Sequence, residues 1–146
     1  MPQSRTAQTV ASRAMGHSPA LDADGYFTLI AIKRYVVKTA AYTVLETESG
    51  TCFLTTGATA AFTFTLPAIS TGPWHFEFIA VADFGMTVAA ATVDTMLTFN
   101  DAAADSVAFS TASEIMGARI LVDCDGTTVV ATGIGVSHRQ TMTVTS

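Results

Sequence analysis

Charged side chains are scarce in this chain. Seven Lys and Arg and twelve Asp and Glu make up 13% of its 146 residues, against 49% apolar residues. A composition so apolar and so poor in charge excludes an intrinsically disordered protein. No apolar run approaches the ~20 residues of a membrane span, so no membrane partner is expected. The first twenty residues lack an apolar h-region, which argues against a secretory signal. Cysteine is limited to Cys52 and Cys124, each inside a strand-like run. Two separate buried thiols are the preferred reading over one bridge, because free Cys is among the most buried residue types.

The residues of common chemistries are also missing. His17, His75 and His138 stand far apart, and no H-x-x-x-H or C-x-x-C occurs. That spacing offers no zinc site, and no cofactor is expected. There is no G-x-S-x-G elbow and no helix of useful length to carry one, so nucleophilic catalysis is not expected. Glu46/Glu48 and Asp101/Asp105 sit in polar loops where solvation explains them. The segments DADG (22–25) and DCDG (123–126) open like calcium loops, but neither continues to the further oxygen ligands and the closing Glu. The chain is therefore not expected to be an enzyme.

What is present is alternation. Phe62, Phe64 and Leu66 alternate with Thr63 and Thr65, and Trp74, Phe76 and Phe78 alternate with His75 and Glu77. Period-two patterning puts one set of side chains on a buried face and the other toward solvent. Threonine and valine recur along the whole chain and suit a pleated surface. Further short runs follow at roughly 8–12-residue spacing, divided by Gly, Asp and Pro turns, as in a sandwich or barrel. Asp125-Gly126 between two β-branched runs predicts a hairpin. Residues 100–105, NDAAAD, read as a loop, and the alternating tail HRQTMTVTS reads as an edge strand or an arm. The predicted fold is all-β: an antiparallel β-sandwich with jelly-roll-like connections, or alternatively a β-tulip or distorted barrel. An extended N-terminal arm (1–25) would precede a single domain (26–146).

Charge is placed unevenly along this fold. Residues 1–38 hold Arg5, Arg13, Lys33, Arg34 and Lys38 against Asp22 and Asp24, whereas ten carboxylates face only Arg119 and Arg139 in the rest. An acidic body repels phosphate, so nucleic acid is not an expected partner. Lys33, Arg34 and Lys38 suit the edge of a sheet, where charge discourages stray pairing. The arm, through Arg5 and Arg13, is the first candidate for docking on an acidic neighbour. Trp74 is the second, because it follows Gly72-Pro73 at a strand entrance where its ring would reach a surface or subunit contact.

The run FLTTGATAAFTFTLPA, the aromatic FEFIAV strand, MTVAA, DTMLTFND and GARILVDCDGTTVVATG together resemble a module of tailed-bacteriophage structural proteins. Leu66-Pro67 and the stretch from Gly117-Ala118 to Asp125-Gly126-Thr127 carry the resemblance, which covers roughly residues 44–133. The module often places an aromatic after Asp-Gly-Thr, where this chain has Thr128-Val129. The resemblance implies a virion component, namely a capsid decoration (cement) protein or, as the alternative, a tail-fibre or tail-tip module that binds a receptor or glycan. For the decoration reading it implies a homotrimer on the capsid exterior, assembled in the host cytoplasm, with the major capsid protein as partner.

Overall fold

The structure is a computed structural model that describes residues 20–21, 27–28, 33–110, 114–135 and 140–146. The chain divides into two units, Met1–Ile32 and Lys33–Ser146. In the first, β1 (Ala20–Leu21) and β2 (Phe27–Thr28) form a short antiparallel ladder. Most of the expected arm, Arg5 and Arg13 included, lies outside the described residues, as does most of the expected domain start at 26–32.

The second unit contains β3 (Arg34–Val37), β4 (Tyr42–Thr43), β5 (Thr51–Leu54), β6 (Phe62–Thr65), β7 (Trp74–Ile79) and β8 (Met86–Ala89). It continues with β9 (Met96–Thr98), β10 (Asp101–Ala104), β11 (Ser106–Phe109), β12 (Arg119–Cys124), β13 (Val129–Ile134) and β14 (Met142–Thr145). They form two sheets, one of seven strands in the order β10-β9-β13-β12-β7-β5-β3 and one of five in the order β14-β11-β8-β6-β4. The sheets share one core, so the all-β sandwich expected from the patterning is the observed architecture.

The pairing differs from the expected antiparallel scheme. From β3 to β8 the chain alternates between sheets, each strand returning parallel to the strand before last: β3, β5 and β7 in one sheet, β4, β6 and β8 in the other. A parallel pair needs a crossover of a dozen or more residues. Here a strand of the opposite sheet supplies that crossover. The remaining pairs are antiparallel, including the interior pairs β8–β11 and β7–β12, apart from a single parallel pairing of β13 with β9. Both sheets are therefore mixed.

Alternation works as anticipated within each strand. Phe53 of β5 occupies the centre, stacked on Phe78 at 5.5 Å and packed at 5.6 Å on Phe64 of the opposite sheet. Trp74 packs at 5.4 Å on Phe76, with Nε1 donating to the Ala68 carbonyl at 3.4 Å. The expectation that Trp74 reaches a surface contact is corrected, because its side chain is only 2% exposed. It stays in phase with Phe76 and Phe78, and that phase points inward.

The resemblance-bearing residues do structural work. Leu66 and Pro67 are buried, and Leu66 N–H donates to Ala89. Gly117 N–H donates to Ala80 at 2.7 Å, and Ala80 N–H donates to Ala118, pinning the end of β7 to the start of β12. The predicted hairpin is present, joining β12 to β13. Asp125 Oδ1 accepts from the backbone N–H groups of Thr127 and Thr128, both at 2.7 Å, and Gly126 takes φ +92°. A β-carbon on Gly72 would lie 2.7 Å from the Gly126 backbone, so the two loops meet only because Gly72 has none.

One smaller expectation changes, and one left open is decided. Residues 101–104 form β10 rather than a loop, entered through Phe99 and Asn100, both at positive φ. The tail becomes β14, an edge strand of the five-stranded sheet. Both cysteines are free and buried.

Candidate functional surface

The two outward faces of the sandwich follow from register. On the seven-stranded sheet, Tyr35, Cys52, Glu77, Leu121 and Thr132 lie side by side across five strands. The next outward row is Val37, Leu54, Ile79, Arg119 and Ile134. His75, Asp123, Val130 and Leu97 form a third. Tyr35 is 59% exposed, and Val37, Leu97, Val130 and Ile134 are also exposed. Aliphatic and aromatic side chains thus face solvent on a sheet whose inner face is already packed.

At the centre of this face is a buried charge. Glu77 is 6% exposed although it points away from the core. Its carboxylate accepts from Arg119 Nη1 at 2.7 Å through one oxygen and from Lys33 Nζ through the other. Both cations keep nearly half of their side-chain surface in solvent. Burial pushes the Glu77 pKa up, but the hydrogen bonds and charges of Lys33 and Arg119 outweigh it and hold the pKa below the ordinary carboxylate value. The bond to Glu77 raises the Lys33 pKa. An anion held between two cations stays ionised at neutral pH, and it has no proton to donate in general acid chemistry.

Cys52 lies directly beside Glu77 in register. Burial, reinforced by the Glu77 charge, pushes its pKa up to about 11. The neutral thiol is the unreactive form, so Cys52 has the character of a packing residue rather than a nucleophile. Cys124 is also raised by burial. A cavity of about 150 Å³ opens beside the ion pairs, lined among others by Lys33, Gly50, His75, Glu77, Leu121 and Asp123. Among the described residues, no group of three His, Cys, Asp or Glu side chains is placed to hold a metal ion.

The outward face of the five-stranded sheet is chemically different. Thr43, Thr65, Ala89, Ser106 and Thr145 form one row across all five strands, and Thr63, Thr87, Ala108 and Thr143 form the second. These nine positions carry no charge and no large apolar group.

Of the residues singled out in the sequence, Trp74 lies in the core, and Arg5 and Arg13 lie outside the described residues. Lys33 is brought to Glu77, and β3 with Arg34 is an edge strand, as its charge pattern suggested. The grouping of Lys33, Glu77 and Arg119 was not anticipated. Its one sequence signal is an acidic residue between Phe76 and Phe78 in an aromatic strand. Compared with protein-family models and with curated proteins, the chain matches none.

Proposed function

We propose that the protein is a structural component of a phage virion that decorates and stabilises the capsid. The observation that carries this reading is the outward face of the seven-stranded sheet: apolar, extended and anchored by Lys33, Glu77 and Arg119. Exposed apolar surface of this extent marks a site of macromolecular contact rather than of chemistry on a small substrate. The resemblance of residues 44–133 to phage structural modules supplies the virion context, and the major capsid protein is the partner it implies. Many modest contacts spread over a shell would oppose expansion by the packaged genome through avidity.

The receptor-binding alternative depended on an aromatic groove around Trp74, and the burial of that ring removes its support. Arg5 and Arg13 remain the proposed contacts of the arm. The test is co-sedimentation of the full chain with empty capsids of the encoding phage, and then of a chain lacking residues 1–20. The full chain is expected to pellet with capsids and the truncated chain to pellet less. A full chain that stays in the supernatant sinks the decoration reading. Equal occupancy by both chains removes the arm from it.

A further inference from the structure

We infer that the outward face of the seven-stranded sheet is where a second copy of this chain docks. The inference deepens the proposed function, which rests on the same face: it assigns that face to contact between copies and leaves capsid contact to the arm.

Area is the first argument. Strands lie about 4.8 Å apart and rise about 3.3 Å per residue, so seven strands of three to six residues present roughly 500 Å². Covering that face on two copies removes at most about 1,000 Å² from water, because Cys52 and Glu77 at its centre are already buried. That area sits at the threshold a specific interface has to clear. The five-stranded face offers about half as much by the same geometry, within the range of adventitious contacts. Its Thr, Ser and Ala side chains also provide little apolar surface to bury.

Charge is the second argument. On the seven-stranded face Lys33 and Arg119 balance Glu77 and Asp123. The other described residues carry Arg34 and Lys38 against eight carboxylates. Two copies approaching through most other surfaces bring like charge within a Debye length of about 8 Å, which opposes contact. Through this face they meet at a neutral surface whose buried carboxylate already has both partners. Tyr35, Val37, Leu97, Val130 and Ile134 then gain cover, and Glu77 keeps both of its counter-ions.

The chemistry makes a distinctive claim about salt. Association through a neutral apolar face persists as ionic strength rises, whereas docking of a basic arm on an acidic body weakens with it. The experiment is sedimentation velocity on the full chain at low and high salt, for the natural sequence and for Val37→Asp, Ile134→Asp and Leu97→Lys made singly. The natural chain is expected to sediment as a multiple of its 15.2 kDa mass at both salt levels. Each substitution buries an unpaired charge in the contact and is expected to raise the dissociation constant by about a hundredfold or more. These positions are exposed in the single copy, so the β-type circular dichroism spectrum is expected to stay unchanged.

A natural chain that sediments at single-chain mass overturns the inference. So does an oligomer that survives all three substitutions or dissolves at high salt. If the chain is monomeric and the substitutions instead abolish capsid binding, the face belongs to the capsid and the inference fails. An oligomer that ignores capsids leaves it intact and removes the decoration reading. Leu97→Lys, on the far side of the face from β3, keeps the test decisive should an Asp variant fail to fold.

Discussion

The outward faces of the two sheets are built on opposite plans. The seven-stranded face mixes exposed apolar side chains with one buried carboxylate and its two cations. The five-stranded face is a lawn of hydroxyl and methyl groups from Thr, Ser and Ala. Thr satisfies solvent with its hydroxyl and the pleat with its β-branch, so such a face is complete in water. The other face is not. It leaves apolar surface in solvent and keeps an ion pair where half-exposed Lys or Glu alone would have maintained solubility. A sheet that only needed to close the core would gain nothing from that arrangement.

The largest effect on folding stability is expected from breaking the ion-pair centre. Glu77→Gln keeps the shape of the side chain but removes the charge that Lys33 and Arg119 share. Hydrogen bonds to charged groups are worth about 1.5–3 kcal/mol each. Because both cations are half-exposed and recover hydration, the net loss is set at about 2 kcal/mol rather than the larger cost of stranding a buried ion. Urea unfolding at neutral pH measures it. No change in midpoint would make the seven-stranded face as indifferent to substitution as the five-stranded one.

Acid sharpens the same point. The folded Glu77 pKa lies below its unfolded value, so the carboxylate contributes stability above an unfolded pKa of about 4.3. That contribution is lost as pH falls through the lower folded value. The stability gap between the natural chain and Glu77→Gln is therefore expected to be full at neutral pH and to close as pH falls below the ordinary carboxylate range. A gap that does not change with pH would show that Glu77 acts through packing. On the alkaline side the sign is reversed: Cys52, raised to about 11, contributes stability below its unfolded value that is lost as pH rises through the folded one.

The difference between the faces was only half legible in the sequence. Alternation states which side chains share a face, so the threonines of β6 and the aromatics of β7 could be sorted directly. It says nothing about which strand lies next to which, and the parallel return of β3, β5 and β7 has no local signature. Lys33, Glu77 and Arg119 meet only through that order. The position of Trp74 was legible from its phase with Phe76 and Phe78, but the loop entrance at Gly72-Pro73 pointed the other way. Burial of the aromatic face decided between them. The Asp101–Ala104 strand was hidden because its alanines carry little hydrophobic signal. Its pairing is set by the reversal at Phe99-Asn100 and by Asp101 Oδ1 accepting from Ala103 N–H at 2.9 Å.

A smaller effect, of opposite sign, is expected beneath the seven-stranded face. Thr51 is buried, and its hydroxyl has no hydrogen-bond partner among the described residues. A buried hydroxyl without a partner costs about 1–3 kcal/mol relative to a satisfied one, and replacing it by an apolar group of the same shape recovers part of this. Thr51→Val is therefore expected to raise stability by up to about 1 kcal/mol. Destabilisation would mean that the hydroxyl is paired in solution.

The smallest effect is expected on the five-stranded face, and its smallness is the test. Thr145 lies on the edge strand β14, exposed and pointing away from the core. Lysine there adds a charge to a face that has none and lowers β propensity slightly, while edge strands tolerate Lys well. Thr145→Lys is expected to shift stability by less than about 0.5 kcal/mol and to leave the sedimentation coefficient unchanged. A substitution of the same boldness at Val37 or Ile134 is expected to dissociate the copies. If Thr145→Lys dissociates them instead, the roles of the two faces are exchanged, and the uncharged hydroxyl face becomes the surface of contact.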